Sequence, residues 1–136
     1  MWLLYAILSA VFASFTAVLA KIGIKGINSN LATAIRTIVI LLMSWGMVFI
    51  SGAQSGLSSL TKQNWIFLIL SGLATGASWL FYYKALQIGE VSQVAPIDKL
   101  SIVLTLILAF VVFKDPISAK RILGCICVVG GIILLI

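Results

Sequence analysis

The chain has 136 residues, of which 62% are hydrophobic and 9% charged, with a mean hydropathy of +1.25. A soluble domain is nearer half apolar and a quarter charged, so too little polar surface is left for a water-wrapped fold, and the composition is that of an integral membrane protein. Nine basic residues against three acidic ones give a net charge of +6. The basic residues flank or interrupt apolar runs instead of forming a displayed basic patch, which argues against nucleic acid as a partner.

Five apolar stretches are long enough to cross a hydrocarbon layer as helices, at roughly 2–20, 31–50, 64–86, 91–113 and 117–136. The expected fold is all-α, with five transmembrane helices forming one domain over 1–136. The first stretch, "MWLLYAILSAVFASFTAVLA", has no preceding Lys or Arg and exceeds a signal-peptide core, so it reads as a retained helix. Ser9, Ala13 and Ala17 recur along it at four-residue steps, a face that lets helices approach closely.

Lys21 closes this helix, and Asn28, Ser29 and Asn30 supply capping groups before the second. Arg36 lies about six residues into that second span, hence about 9 Å deep at the helical rise. The linker "SGAQSGLSSLTKQ" is the longest and most polar, and Thr61 to Asn64 precede the third span. There, "SGLATGASWLFYYKAL" places Gly72, Gly76, Trp79 and Tyr83 on one stripe, with Tyr82 and Lys84 beside it. A cavity wall and a tight helix contact closed by an aromatic belt both fit that stripe.

The fourth span opens "VSQVAPIDKLS". Pro96 cannot bond to the carbonyl of Ser92 and disturbs the preceding turn, giving either a hinge or a structural kink. Asp98, Ser101 and Thr105 share a face, and Asp98 has Lys99, Arg36 or Lys84 as possible counter-charges. Asp115 and Pro116 open the fifth span, which carries Gly124, Cys127 and Gly131 as a second small-residue face.

Ionisable groups inside spans are costly and mark function. Here Lys21, Arg36, Lys84, Asp98 and Lys99 gather toward one membrane face, opposite Met1. Lys62, Lys114, Lys120 and Arg121 belong to the Met1 face, against Lys21, Lys25 and Lys84 on the other, with Arg36 and Lys99 further in. Lys and Arg normally select the cytoplasmic side, and this distribution selects neither.

No catalytic constellation is visible. Histidine is absent, no nucleophile elbow or phosphate loop occurs, and Cys125 and Cys127 are poorly spaced for zinc. The expectation is a non-enzyme with no metal and no cofactor.

Three segments, "LATAIRT", "GLATGASWLFYYKALQIGEVSQVAPIDKLS" and "FKDPISAKRILGCICVVGGIILLI", resemble the EamA domain of the drug/metabolite transporter superfamily, in particular bacterial members built of one such domain. Asp115 departs from the glutamate usual there. The resemblance implies transport of a small metabolite or drug-like solute across the bacterial inner membrane by a multi-pass protein. Most members are ten-helix chains with two inverted domains. A five-helix domain reaches that architecture by inserting both ways and pairing antiparallel, for which balanced Lys/Arg is suited.

On this reading Arg36, Lys84 and Lys99 would bind anionic groups, Trp79, Tyr82 and Tyr83 would form apolar walls, and Ser101 would add a hydroxyl. Asp98 would hold the basic groups or titrate, and Pro96 would be the hinge. Ala13, Gly72, Gly76, Gly124 and Gly131 would serve helix packing. The expected partners are a small-molecule substrate, the lipid bilayer and a second copy. A heterodimer subunit, a passive channel and a structural membrane subunit are the alternatives.

Overall fold

The computed structural model describes residues 1–136 except Asp115 and Ile117. The departure at Asp115, its place in opening the fifth span, and the start of that span at Ile117 therefore lie outside the described residues. The order is α1 (Trp2–Gly23), α2 (Ser29–Ile50), a 3₁₀ helix (Ala53–Ser59), α3 (Lys62–Ile88), α4 (Val91–Asp98), α5 (Ser101–Phe113) and α6 (Ala119–Leu135). The described residues contain no strand. Packing divides the chain into a central unit, Leu19–Gln87, and a split unit of Met1–Val18 with Ile88–Ile136.

In the central unit, Gly26 adopts a left-handed conformation (φ +76) in the turn after α1, one that favours glycine. Extended Asn28 then caps α2, its side chain accepting from the Asn30 N–H at 2.8 Å. Helix α2 ends where Gly52 turns left-handed (φ +71) and its N–H donates to the Phe49 carbonyl at 3.3 Å. In the 3₁₀ segment, Ser55, Ser58 and Ser59 donate hydroxyl hydrogen bonds to carbonyls three residues back, a local competition that suits a short tight helix. At the start of α3 the Thr61 hydroxyl accepts from the Asn64 N–H at 3.2 Å and donates to the Asn64 side chain at 2.9 Å.

The opposite end of this unit is drawn together by polar ties. Lys21 Nζ donates to the Leu86 carbonyl at 2.6 Å, and the Gln87 amide donates to the Ile27 carbonyl at 2.8 Å. A cation on the last carbonyls of α3 also favours the negative end of its dipole. Leu86 is fully buried beneath these ties.

In the split unit, α4 contains Pro96 and stops at Asp98. The Lys99 N–H donates to the Pro96 carbonyl and the Leu100 N–H to the Ile97 carbonyl, both at 2.9 Å. Those i to i+3 bonds tighten the chain for two residues before α5 resumes at Ser101. The interruption thus falls three residues beyond the proline, next to the acid. Helix α4 packs against α6. Lys114 ends α5 in a left-handed conformation at φ 55, and the Ser118 side chain caps α6 by accepting from the Arg121 N–H.

Among the described residues, four segments are long and apolar enough to cross a membrane: Trp2–Gly23, Ser29–Ile50, Lys62–Ile88 and Val91–Phe113, the last counting α4 and α5 together. Helix α6 has 17 residues, which is about 26 Å of helix and the short end of the spanning range. Among described residues, only Ala17, Ile24, Tyr83, Leu86 and Ile132 form a buried hydrophobic core, whereas Phe81 is 78% and Leu134 88% exposed. A water-soluble protein does not display apolar surface on this scale. The solvent of these helices is lipid, and the chain is an all-α, multi-pass membrane protein.

Candidate functional site

Arg36 is the eighth residue of α2, about 10 Å along the helix from its start, while Trp79 and Tyr83 stand about 14 and 8 Å before the end of α3. The Gln87–Ile27 hydrogen bond holds those two helix ends together. The Arg36 side chain therefore arrives between the two rings. Its guanidinium carbon lies 4.4 Å from the Trp79 ring centre and 5.3 Å from that of Tyr83, both within cation–π range. Tyr82 meets Tyr83 edge to face, with ring centres 6.2 Å apart.

The helix face leading to Arg36 is polar. Thr33 donates to the Ser29 carbonyl at 2.9 Å and Thr37 to the Thr33 carbonyl at 2.7 Å. Ser29 and Thr33 are buried. Arg36 is half-buried and, among the described residues, has neither a hydrogen bond nor an ion pair. Tyr83 is 3% exposed, and its hydroxyl finds no hydrogen-bond partner among those residues. Buried polar groups are nearly always satisfied. Among the described residues, this cluster leaves a cation without a counter-charge and a phenol without a hydrogen-bond partner.

The split unit treats its charges differently. Lys99 Nζ lies 3.1 Å from the Asp98 carboxylate, so of the three counter-charges open to Asp98 the structure shows its chain neighbour. Pro96 is half-buried and Ser101 exposed at the first position of α5. Lys84, in the central unit, makes one long contact to the Gln87 side chain, at 3.5 Å. An apolar groove of about 200 Å³ runs between α5 and α6, past Leu106, Phe110, Ile122 and Cys125, with Arg121 at its rim. Arg121 Nη1 donates to the Pro116 carbonyl at 2.8 Å.

A Cβ added at Gly72, Gly76, Gly124 or Gly131 would meet no atom within 4 Å, and Ala13 is exposed. Within one chain these small-residue faces are open. The central cluster thus joins Arg36, Trp79, Tyr82 and Tyr83, while Asp98, Lys99, Ser101 and Pro96 belong to the split unit. The reading from sequence did not single out the ladder of Ser29, Thr33 and Thr37, although its four-residue steps were there to be found. The ties from Lys21 and Gln87 had no such signal.

The whole chain, residues 1–136, matches the EamA-like transporter family. The chain belongs to that family. The resemblance carried by its three motifs is membership. It is also 45% identical over 134 residues to an "uncharacterized transporter in cobO 3'region" of Sinorhizobium sp, covering 98% of this chain and 95% of that protein. No solved structure matches the chain. As an EamA-like protein it is a membrane transporter of the drug/metabolite superfamily.

Proposed function

We propose that this EamA-like chain moves a small solute across the bacterial inner membrane by alternating access, as an antiparallel pair of identical five-helix subunits, with α6 as the fifth crossing. The observation that carries the reading is the coincidence of two facts. The family match spans residues 1–136, and the chain covers 95% of its Sinorhizobium relative. On the five-span reading the Lys and Arg residues at the two membrane faces are balanced, which would favour neither insertion direction. Two oppositely inserted copies supply the inverted repeat that alternating access uses.

In this reading solute meets Arg36, Trp79, Tyr82 and Tyr83 in each subunit. The interruption after Pro96 lets one part of a subunit rock against the rest, and Asp98 with Lys99 braces that interruption. Lys84 and Ser101 line the path. No chemical step is asked of the protein, which is a transporter and not an enzyme. The small-residue faces at Gly124 and Gly131, open within one chain, are available to the second copy.

The test is the location of Ile136. Reporters active on only one side of the membrane, fused after it, should give comparable signals from both sides. A signal from one side alone would refute the homodimer and point to a partner of opposite orientation.

A further inference from the structure

We infer that the Arg36 cluster is a binding site for the carboxylate of a small organic monoacid with an apolar body, recognised by the Arg36 guanidinium and the Tyr83 hydroxyl. The inference deepens the transport reading and rests on it for the claim that the site lies on the path.

Four observations converge. Arg36 sits inside a spanning helix with no carboxylate or other hydrogen-bond partner among the described residues. The contact with the Trp79 ring, 4.4 Å from guanidinium carbon to ring centre, takes up none of the N–H donors in a hydrogen bond, and a guanidinium's planar fork of donors matches a carboxylate bidentately. Tyr83, whose ring is 5.3 Å from the same carbon, holds a buried hydroxyl without a partner. A guest that supplies two acceptor oxygens satisfies both groups at once. Finally, the stripe continuing from Trp79 toward the membrane centre carries Gly76 and Gly72, beside which nothing lies within 4 Å of an added Cβ. An apolar body fits there against the indole.

The charge logic favours one guest charge. The rings around Arg36 are neutral, so the cluster itself offers one positive charge, and the second charge of a dianion would need a partner from outside the cluster.

The experiment uses the full chain purified in a neutral, delipidated maltoside micelle, titrated with sodium benzoate while tryptophan emission and melting temperature are followed. Benzamide, the neutral analogue of the same shape, is the control. Benzoate should give a saturable emission change and raise the melting temperature by mass action, and benzamide should do neither. Arg36→Gln should abolish both effects. Arg36→Lys, which keeps the charge and guards against misfolding of the first variant, should weaken binding at least about tenfold because the fork is lost. Tyr83→Phe should weaken it about tenfold.

Equal effects of benzoate and benzamide, or unchanged benzoate affinity in the Arg36 variants, would overturn the inference. So would stabilisation by added phosphatidylglycerol with no response to benzoate, which would assign the cluster to a lipid phosphate. Binding in micelles does not depend on insertion direction. A negative result here leaves the Ile136 test standing, and a single location for Ile136 leaves this one standing.

Discussion

Arg36 in α2 and Lys99 after α4 are both basic side chains inside membrane-spanning segments, and their charges are treated in opposite ways. Lys99 has its counter-charge on the adjacent residue, at 3.1 Å, and is 55% exposed. Arg36 is half-buried and has two aromatic rings in place of a carboxylate. A pair of neighbouring opposite charges needs nothing from outside. A cation resting on π faces in a low-dielectric setting is held in position, and its charge is still uncompensated. On the proposed reading, the difference separates a cluster that receives a guest from one that braces a break in a helix.

The sharpest way to break this comparison is Arg36→Gln. Solute movement should fall by at least about two orders of magnitude, the loss expected when a bidentate charge-assisted contact disappears, while the amount of folded protein in the membrane is unchanged. Uptake into vesicles and the yield of monodisperse protein check the two halves. Lys99→Gln should act far less, because an exposed ion pair is worth about 0–1 kcal/mol. Rate changes beyond about fivefold would place Lys99 with Arg36 as a solute contact.

Pro96→Ala sharpens the other side. Restoring the N–H lets α4 run more regularly toward α5, so transport should slow several-fold with benzoate affinity held within about twofold, the signature of a gating residue. Equal loss of both would mean the break shapes the binding site. Gly76→Leu should weaken benzoate several-fold and leave acetate unaffected, as read from competition titrations, since it fills only the space beside Trp79. The smallest effect concerns neither cluster. Asn28→Ala removes the cap of α2 and should cost about 1 kcal/mol, seen as a lower melting temperature with transport intact.

Much of the membrane fold was legible because long apolar runs and their capping residues are local signals. Asn28 and Thr61 announce the starts of α2 and α3 by chemistry confined to three residues. The split of the fourth span was half legible: Pro96 flagged a disturbance, but its position after Asp98 depends on how the i to i+3 bonds close at Lys99 and Leu100. The members of the aromatic cluster around Arg36, namely Trp79, Tyr82 and Tyr83, could be named as candidates from residue type and depth. Their grouping could not. It depends on the register of α2 against α3, which is fixed by Gln87 reaching the Ile27 carbonyl, a contact between residues 60 positions apart. Nor could sequence choose among the three counter-charges of Asp98, because helix spacing alone leaves each within reach.

The most direct test of the account is counterflow in vesicles reconstituted with the purified chain. Vesicles preloaded with unlabelled benzoate and diluted into labelled benzoate should show a transient accumulation of label above its equilibrium level, because a site that alternates between faces exchanges one solute for another. Arg36→Gln vesicles should show none. Simple equilibration without an overshoot would contradict alternating access and favour a pore, and an undiminished overshoot in Arg36→Gln would remove Arg36 from the path.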